Sequence, residues 1–457
     1  DRDQTVVRAT SVSPLYSMTK NQQRGTMKKI ILLSAALFCT AALYAQETLK
    51  NYANKIPMNI GTCVGTAFYD NDQTYINTLT REFNTVVCEN EMKAGSVEPT
   101  QGTFTFTNAD KLVAFAQQNN MKIRGHTLVW YNQNPTWLSK GTWTRATLLA
   151  AMKAHISGVV GHFKGKILEW DVVNEAFDDN GAGARRTSFW QTTIGNDYID
   201  SAFTYAHQAD PAALLFYNDY ATCTINAKST AVYNMIKALQ ANNVPIHGIG
   251  FQSHQQTSDS SSSLYSAMKV NFDRFAALGL KISITELDVR MPMPSDQSKL
   301  NAQAEVYRMF MQVALAEPSC RTFMMWGFTD KFSWIPAQFS GEGAACIYDE
   351  NYQPKPAYTA LLNVLKTPSS IAVYPPMSSA ARGNAMLIFD ASGNSILVRN
   401  EKANVPVYLE MFDLRGSKIA GMYVQNGSRV PVSSLTSAQG TFILRAGGNN
   451  LQINTVK

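Results

Sequence analysis

From about residue 57 to residue 366, short apolar runs alternate with amphipathic stretches. A run of four to nine residues rich in Val, Ile, Leu and Phe, closed by polar residues, reads as a strand buried on both faces. Eight such runs occur: Met58–Thr66, Thr85–Glu89, Lys122–Trp130, Ile167–Glu175, Leu214–Asp219, Ile246–His254, Lys281–Asp288 and Thr322–Phe328. Between them apolar residues recur at helical spacing over Asn108–Asn119, Arg145–Phe163, Tyr198–Gln208, Ala227–Ala241, Ser263–Leu278 and Leu300–Ala316. Eight strand–helix units separated by roughly 30–50 residues predict an α/β fold, a (β/α)8 TIM barrel with elaborated loops. A doubly wound open sheet is the alternative, but it gives no reason for polar residues at the end of nearly every strand.

The pattern changes after a last helix at Thr359–Lys366. Residues 367–376 contain Thr367-Pro368-Ser369-Ser370 and Pro375-Pro376 and read as a linker. Beyond them Val407, Leu409 and Met411 alternate with Tyr408 and Glu410, and Asp413-Leu414-Arg415-Gly416 makes a turn. Residues 372–457 therefore predict a small all-β sandwich following the barrel domain at 46–366.

The first segment has a different logic. Met27-Lys28-Lys29 is a basic start, Ile30 to Leu43 is apolar, and Leu43-Tyr44-Ala45 resembles a cleavage site. Residues 27–45 thus read as a secretory signal, too short for a comfortable membrane span, and residues 1–26 as an upstream extension foreign to the fold. Six basic and two acidic side chains precede residue 46, so the net charge of +6 falls to about +2 for the rest. With no Lys/Arg run, nucleic acid is not an expected partner. The five cysteines after the signal, Cys63, Cys88, Cys223, Cys320 and Cys346, contain no C-x-x-C pair, so neither zinc ligation nor a disulfide framework is expected. A single Cys320–Cys346 bridge stays open.

The polar residues at the strand ends carry the chemistry. They are Glu89, Asn90 and Lys93 on strand 2, His126 and Trp130 on strand 3, and Asn174 and Glu175 on strand 4. Strands 5 and 6 add Asn218, Asp219, Gln252 and His254; strand 7 gives Glu286 and Asp288, and strand 8 gives Trp326, with Trp334 beyond. The C-terminal end of barrel strands is where active sites form. Amide, ammonium and carboxyl groups suit sugar hydroxyls, and indoles suit the apolar faces of a pyranose. Two carboxyl groups facing one bond, one protonated and one ionised, are the equipment for glycoside hydrolysis. No HxH or H-E-x-x-H motif appears, so no metal and no cofactor is expected. Asp178, Asp179, Arg185 and Arg186 fall on the loop after strand 4, where a rim of the cleft and a solvated loop are both open readings. His155, His162 and His207 lie in helical stretches and read as structural, as do Trp137, Trp143, Trp170 and Trp190.

The motifs together resemble glycoside hydrolase family 10, the endo-β-1,4-xylanases. They are Glu89-Asn90-Glu91-Met92-Lys93, Gly125-His126-Thr127-Leu128-Val129-Trp130, Trp170-Asp171-Val172-Val173-Asn174-Glu175-Ala176, Tyr217-Asn218-Asp219-Tyr220, Gly250-Phe251-Gln252-Ser253-His254, Thr285-Glu286-Leu287-Asp288 and Trp326-Gly327-Phe328-Thr329-Asp330. The resemblance implies Glu175 as general acid/base and Glu286 as nucleophile, with Asn174 on the 2-hydroxyl of the attacked sugar. It implies that His254 hydrogen-bonds the nucleophile and Asp288 steadies that histidine. Glu89, Asn90, Lys93, His126, Trp130, Gln252, Trp326 and Trp334 match residues lining the glycone subsites. Xylan and xylo-oligosaccharides are then the expected partners, cleaved with retention by two carboxyl groups about 5–5.5 Å apart. Tyr131 departs from the family, which commonly has His there. Other readings are a barrel glycosidase acting on β-1,4-glucan or mannan, and a non-catalytic surface glycan-binding protein. Residues 372–457 resemble the C-terminal sorting domains of type IX secretion, on Val407–Asp413, Leu414-Arg415-Gly416 and Gln439-Gly440-Thr441-Phe442-Ile443-Leu444-Arg445. That implies the type IX secretion machinery as a partner, and secretion or surface display by a Gram-negative bacterium.

Overall fold

The structure, a computed structural model, describes residues 47–367 except 181 and 262, and seven short segments between 385 and 455. The expected upstream extension and signal (1–26 and 27–45), residues 368–376 of the expected linker, and the Asp413–Gly416 turn lie outside the described residues.

Eight strands form the centre: β1 Asn59–Val64, β2 Thr85–Cys88, β3 Lys122–Gly125, β4 Glu169–Asn174, β5 Leu214–Asp219, β6 Gly248–Phe251, β7 Lys281–Pro292 and β8 Cys320–Met325. Each pairs in parallel with the next, and β8 pairs with β1, which closes the barrel. Closure excludes the open doubly wound sheet and removes both sheet edges. Eight helices follow the strands: α1 Gln73–Glu82, α2 Thr107–Gln118, α3 Arg145–His162, α4 Tyr198–Ala209, α5 Ala227–Ala241, α6 Ser263–Ala276, α7 Gln297–Ala316 and α8 Pro356–Lys366. Their caps follow from sequence. Thr144 and Thr147 exchange bonds in a capping box at α3, Asp296 accepts from Lys299 N at α7, and Pro356 opens α8. One continuous core joins the strands to the inner helix faces, with Trp170, Phe203, Phe272 and Phe310 buried in it. Gly125 is required by that packing: a Cβ there would lie 2.1 Å from the indole of Trp170, its register partner on β4.

Strand interiors match the apolar runs, and Leu214–Asp219 matches to the residue; several other strand ends differ. Lys122–Trp130 breaks at Gly125, yet Leu128 N and Val129 N resume bonding to Asp171 O and Val172 O. Ile246–His254 divides into β6 and a three-residue strand, His254–Gln256, because the chain turns at Ser253 (φ +66°), after Gln252, whose N–H and C=O still bond to Asp219 O and Glu286 N. β7 continues past Asp288 to Pro292, since His254–Gln256 and Glu342–Gly343 both pair with its end. Helix α7 begins three residues before the expected Leu300 and α8 three before Thr359, where the caps lie. Among the described residues all five cysteines are free and buried, so no Cys320–Cys346 bridge forms.

After the barrel, Ala385–Asp390, Ser395–Asn400 and Arg429–Pro431 form one antiparallel sheet. Lys418–Val424, Val407–Phe412, Gly440–Ala446 and Asn449–Thr455 form a second. Ile396 and Val398 in one sheet and Leu409 and Met411 in the other are buried at alternate positions, as strands with a single apolar face require.

Candidate active site

Most candidate site residues lie at or just beyond the C-terminal end of a barrel strand; Glu286 and Asp288 lie within the long β7, and Trp334 lies on the loop after β8. Glu175 is the first residue after β4. Its backbone sits at φ +57°, and its N–H donates to Asn218 O at 2.9 Å. The left-handed turn follows an irregularity in the β4–β5 register between Asp171 and Val173. Three donors meet its carboxylate: Asn174 Nδ2 (3.0 Å) and Gln252 Nε2 (2.9 Å) on Oε1, and Trp130 Nε1 (2.9 Å) on Oε2.

Glu286 stands within β7 and is 4% exposed. Asn218 Nδ2 donates to its Oε1 at 2.7 Å, His254 Nε2 lies 3.3 Å from Oε2, and His126 Nδ1 lies 3.9 Å from Oε1. Asn218 Nδ2 also donates to Asn174 Oδ1 at 2.9 Å, so a chain of amides joins the two carboxyl groups. Thr285 Oγ1 donates to Asn218 Oδ1 (2.7 Å), which sets that amide with its NH2 toward Glu286.

These contacts decide the charge. Burial pushes Glu286 up, but the hydrogen bond and charge of His254, with His126 and Asn218, hold it down at about 2. Burial opposes a charged His254, yet Asp288 and Glu286 raise it to about 10. Asp288 Oδ2 lies 3.1 Å from His254 Nδ1 without hydrogen-bond alignment, and it accepts from Trp334 Nε1 at 2.7 Å. The pair at the mouth is therefore imidazolium and carboxylate across neutral pH.

The other residues form a contact network of their own around Lys93 and the indoles. Lys93 Nζ donates to Asn90 Oδ1 (3.0 Å) and Gln133 Oε1 (2.7 Å), and sits 5.2 Å from the Trp130 ring and 5.9 Å from the Trp326 ring. Burial lowers Lys93 and pushes Glu89 up to about 7, the latter against the opposing charge of Lys93. Glu89, Trp326 and Trp334 border a water-sized space of about 10 Å³.

Beneath the cleft, Arg124 is buried between Glu169 (Nε–Oε1 2.9 Å) and Asp171, which its terminal nitrogens clasp. His126 Nδ1 lies 2.9 Å from Asp171 Oδ2. Ligand atoms of His126, Asp171 and Glu286 fall within 4.8 Å of one another, a spacing open to a metal. The Asp171 oxygens, however, already face the Arg124 guanidinium, whose charge repels a cation. This trio reads as a hydrogen-bonded support for His126.

Sequence reasoning counted Asn218 among the strand-end polar residues but gave it no role at the nucleophile; Gln133 and the Arg124–Asp171 pair escaped it. The signal for Asn218 was available: Asn218 and Asp219 are consecutive in a buried strand, so one of them must face the barrel axis. Gln133 lies on a loop and had no such signal. Trp190 is buried, with Nε1 donating to Trp130 O at 2.9 Å, and His155 is buried against Glu98 at 2.7 Å.

Residues 48–364 match the model of glycosyl hydrolase family 10. Endo-1,4-beta-xylanase B of Thermotoga neapolitana is 43% identical over 339 residues, covering 73% of this chain and 96% of the relative. Endo-1,4-beta-xylanase D of Talaromyces funiculosus is 39% identical over 340 residues, 74% of this chain and 83% of its own. The crystal structure of native xylanase 10B from Thermotoga maritima superposes with a TM-score of 0.68 at 44% identity, over 71% of this chain and 99% of that one. Xylanase 10B from Thermotoga petrophila, solved with xylobiose, gives 0.68 and 44% over 70% and 97%.

Proposed function

The chain belongs to glycosyl hydrolase family 10, and from that premise we infer the chemistry of its cleft. The protein is an endo-β-1,4-xylanase that binds xylo-oligosaccharides and cleaves internal bonds of xylan. Glu286 attacks the anomeric carbon while Glu175 gives its proton to the departing oxygen. Glu175 then takes a proton from the water that opens the glycosyl-enzyme, and configuration is retained. One observation carries this reading: a buried glutamate held ionised at about 2 shares a chain of amides with a second glutamate at the same barrel mouth. Asn90, Lys93, Glu89 and His126 supply polar groups for sugar hydroxyls, Asn174 serves the 2-hydroxyl, and the indoles of Trp130, Trp326 and Trp334 stack on the rings.

The test is release of reducing ends from soluble xylan, glucomannan and cellulose. Wild type should act on xylan foremost, and Glu286→Ala should release none. Undiminished hydrolysis by that variant removes Glu286 from its role; faster release from glucomannan moves the enzyme to another β-1,4-glycan.

The route out of the cell rests on sequence. Residues 27–45 direct export, and residues 372–457 act as a type IX sorting domain delivering the enzyme to the surface of a Gram-negative bacterium or beyond it. The antiparallel strands between 385 and 455 suit such a module. Deleting residues 372–457 should leave activity intact and hold the protein in the cell envelope; normal delivery of the truncated chain defeats this assignment.

A further inference from the structure

Glu175 occupies a backbone conformation that costs an ordinary residue about 1–2 kcal/mol, so something must hold it there. All four main-chain polar groups of Glu175 and Ala176 are engaged. Glu175 N–H donates to Asn218 O (2.9 Å), and Ala176 N–H donates to Tyr217 Oη (3.0 Å). Tyr217 Oη in turn donates to the buried Asp219 at 2.6 Å. The remaining two groups, Glu175 O and Ala176 O, accept from one residue, Arg186, through Nε (3.0 Å) and backbone N (2.9 Å).

The rest of Arg186 is held with equal care. Nη2 donates to both oxygens of Asp179 (3.0 and 3.1 Å) and to Tyr220 Oη (3.0 Å). Its guanidinium carbon lies 4.3 Å from the centre of the Tyr131 ring. Tyr131 directly follows Trp130, whose indole donates to the Glu175 carboxylate. A single guanidinium therefore grips the main chain of Glu175 and packs on the neighbour of the side chain that orients its carboxyl group. Lys228, 3.4 Å from Asp179 and 2.8 Å from Asp219, adds a further positive charge to this shell.

We propose that Arg186 is a positioning residue for proton transfer: through Glu175 O and the Tyr131 face it aims the Glu175 carboxyl group at the leaving oxygen. The proposal rests on Glu175 being the acid/base. Lysine cannot substitute, because an ammonium lacks the Nε–H and the planar fork that make these contacts together.

The test compares wild type, Arg186→Ala, Arg186→Lys and Glu175→Ala on two aryl β-xylobiosides, one releasing an acidic phenol and one a weakly acidic phenol, with and without azide. Cleavage of the weakly acidic phenol needs a well-aimed proton and that of the acidic phenol does not. General acid catalysis supplies about 10²–10⁴-fold and misplacement by about 1 Å costs about 10²-fold, so kcat/KM for the weakly acidic phenol should fall about 10- to 100-fold in both Arg186 variants. For the acidic phenol it should fall by at most a few-fold. Azide, which attacks without a general base, should raise kcat on the acidic phenol and yield the β-xylobiosyl azide. Arg186→Lys keeps a positive charge opposite Asp179, so it carries the test if Arg186→Ala does not fold. Equal losses on both substrates without an azide response overturn the proposal, as do unchanged rates. Glu175→Ala separates the two levels: if it too lacks the leaving-group dependence, the acid/base reading itself fails.

Discussion

Replacing His254 by Ala is the most informative perturbation of the nucleophile. Glu286 is lowered from 4.5 to about 2 although burial pushes it the other way. At 1.36 kcal/mol per pKa unit, this is about 3 kcal/mol of preference for the carboxylate. The imidazolium contributes both a hydrogen bond and a charge to that preference, leaving His126 and Asn218 to act alone in the variant. The substitution also strips Asp288 of its cation and leaves a second buried carboxylate nearby. Glu286 should then titrate at or above its ordinary 4.5. The assay is kcat/KM against pH on an aryl xylobioside with an acidic leaving phenol, so that proton donation does not limit the rate. Wild type should show no acid limb from Glu286 above about pH 3, while the variant should lose about tenfold per pH unit below about pH 5. Superimposable acid limbs would refute the claim that His254 keeps the nucleophile ionised.

Other consequences follow from the same contacts. Glu286 is depressed, so its stabilisation is present above 4.5 and lost as pH falls through about 2; His254 is raised, so its stabilisation is present below 6.5 and lost as pH rises through about 10. The melting-temperature gap between wild type and His254→Ala should therefore be widest between pH 4.5 and 6.5 and narrow toward both extremes, and a gap independent of pH counts against the pair. Arg124→Leu abandons two buried carboxylates and should cost about 3–5 kcal/mol in denaturant unfolding. A cost below about 1 kcal/mol would show those acids to be protonated or hydrated in the native protein. Asn218→Ala removes a 2.7 Å bond to a charged group, worth about 1.5–3 kcal/mol, and should lower kcat/KM about 10- to 100-fold; wild-type rates would exclude Asn218 from orienting Glu286.

The barrel was legible because its strands are buried on both faces, and such strands spell themselves as unbroken apolar runs. Val172-Val173 before Asn174-Glu175 and Ile282–Ile284 before Glu286 marked both the strands and their mouth ends. What stayed hidden are features that depend on pairing across the sheet. Leu128 and Val129 belong to the ladder only because β4 offers Asp171 O and Val172 O after a break. Arg124 stands as an isolated charge in an apolar run until β4 places Glu169 and Asp171 beside it inside the barrel. Arg186 is the sharpest case. On paper it is one of two arginines in a polar loop; folding turns the loop back so that its guanidinium meets Glu175 O and the Tyr131 ring. Loop residues carry no periodicity, so nothing in their order announces what they will touch.

The most direct measurement is the anomer first released when wild-type protein cleaves a xylo-oligosaccharide, followed by proton NMR before mutarotation. A nucleophilic Glu286 served by Glu175 gives the β-anomer first, with the α-anomer growing in only as the products equilibrate. The α-anomer appearing first would mean direct attack by water, and the roles assigned to the two glutamates could not stand.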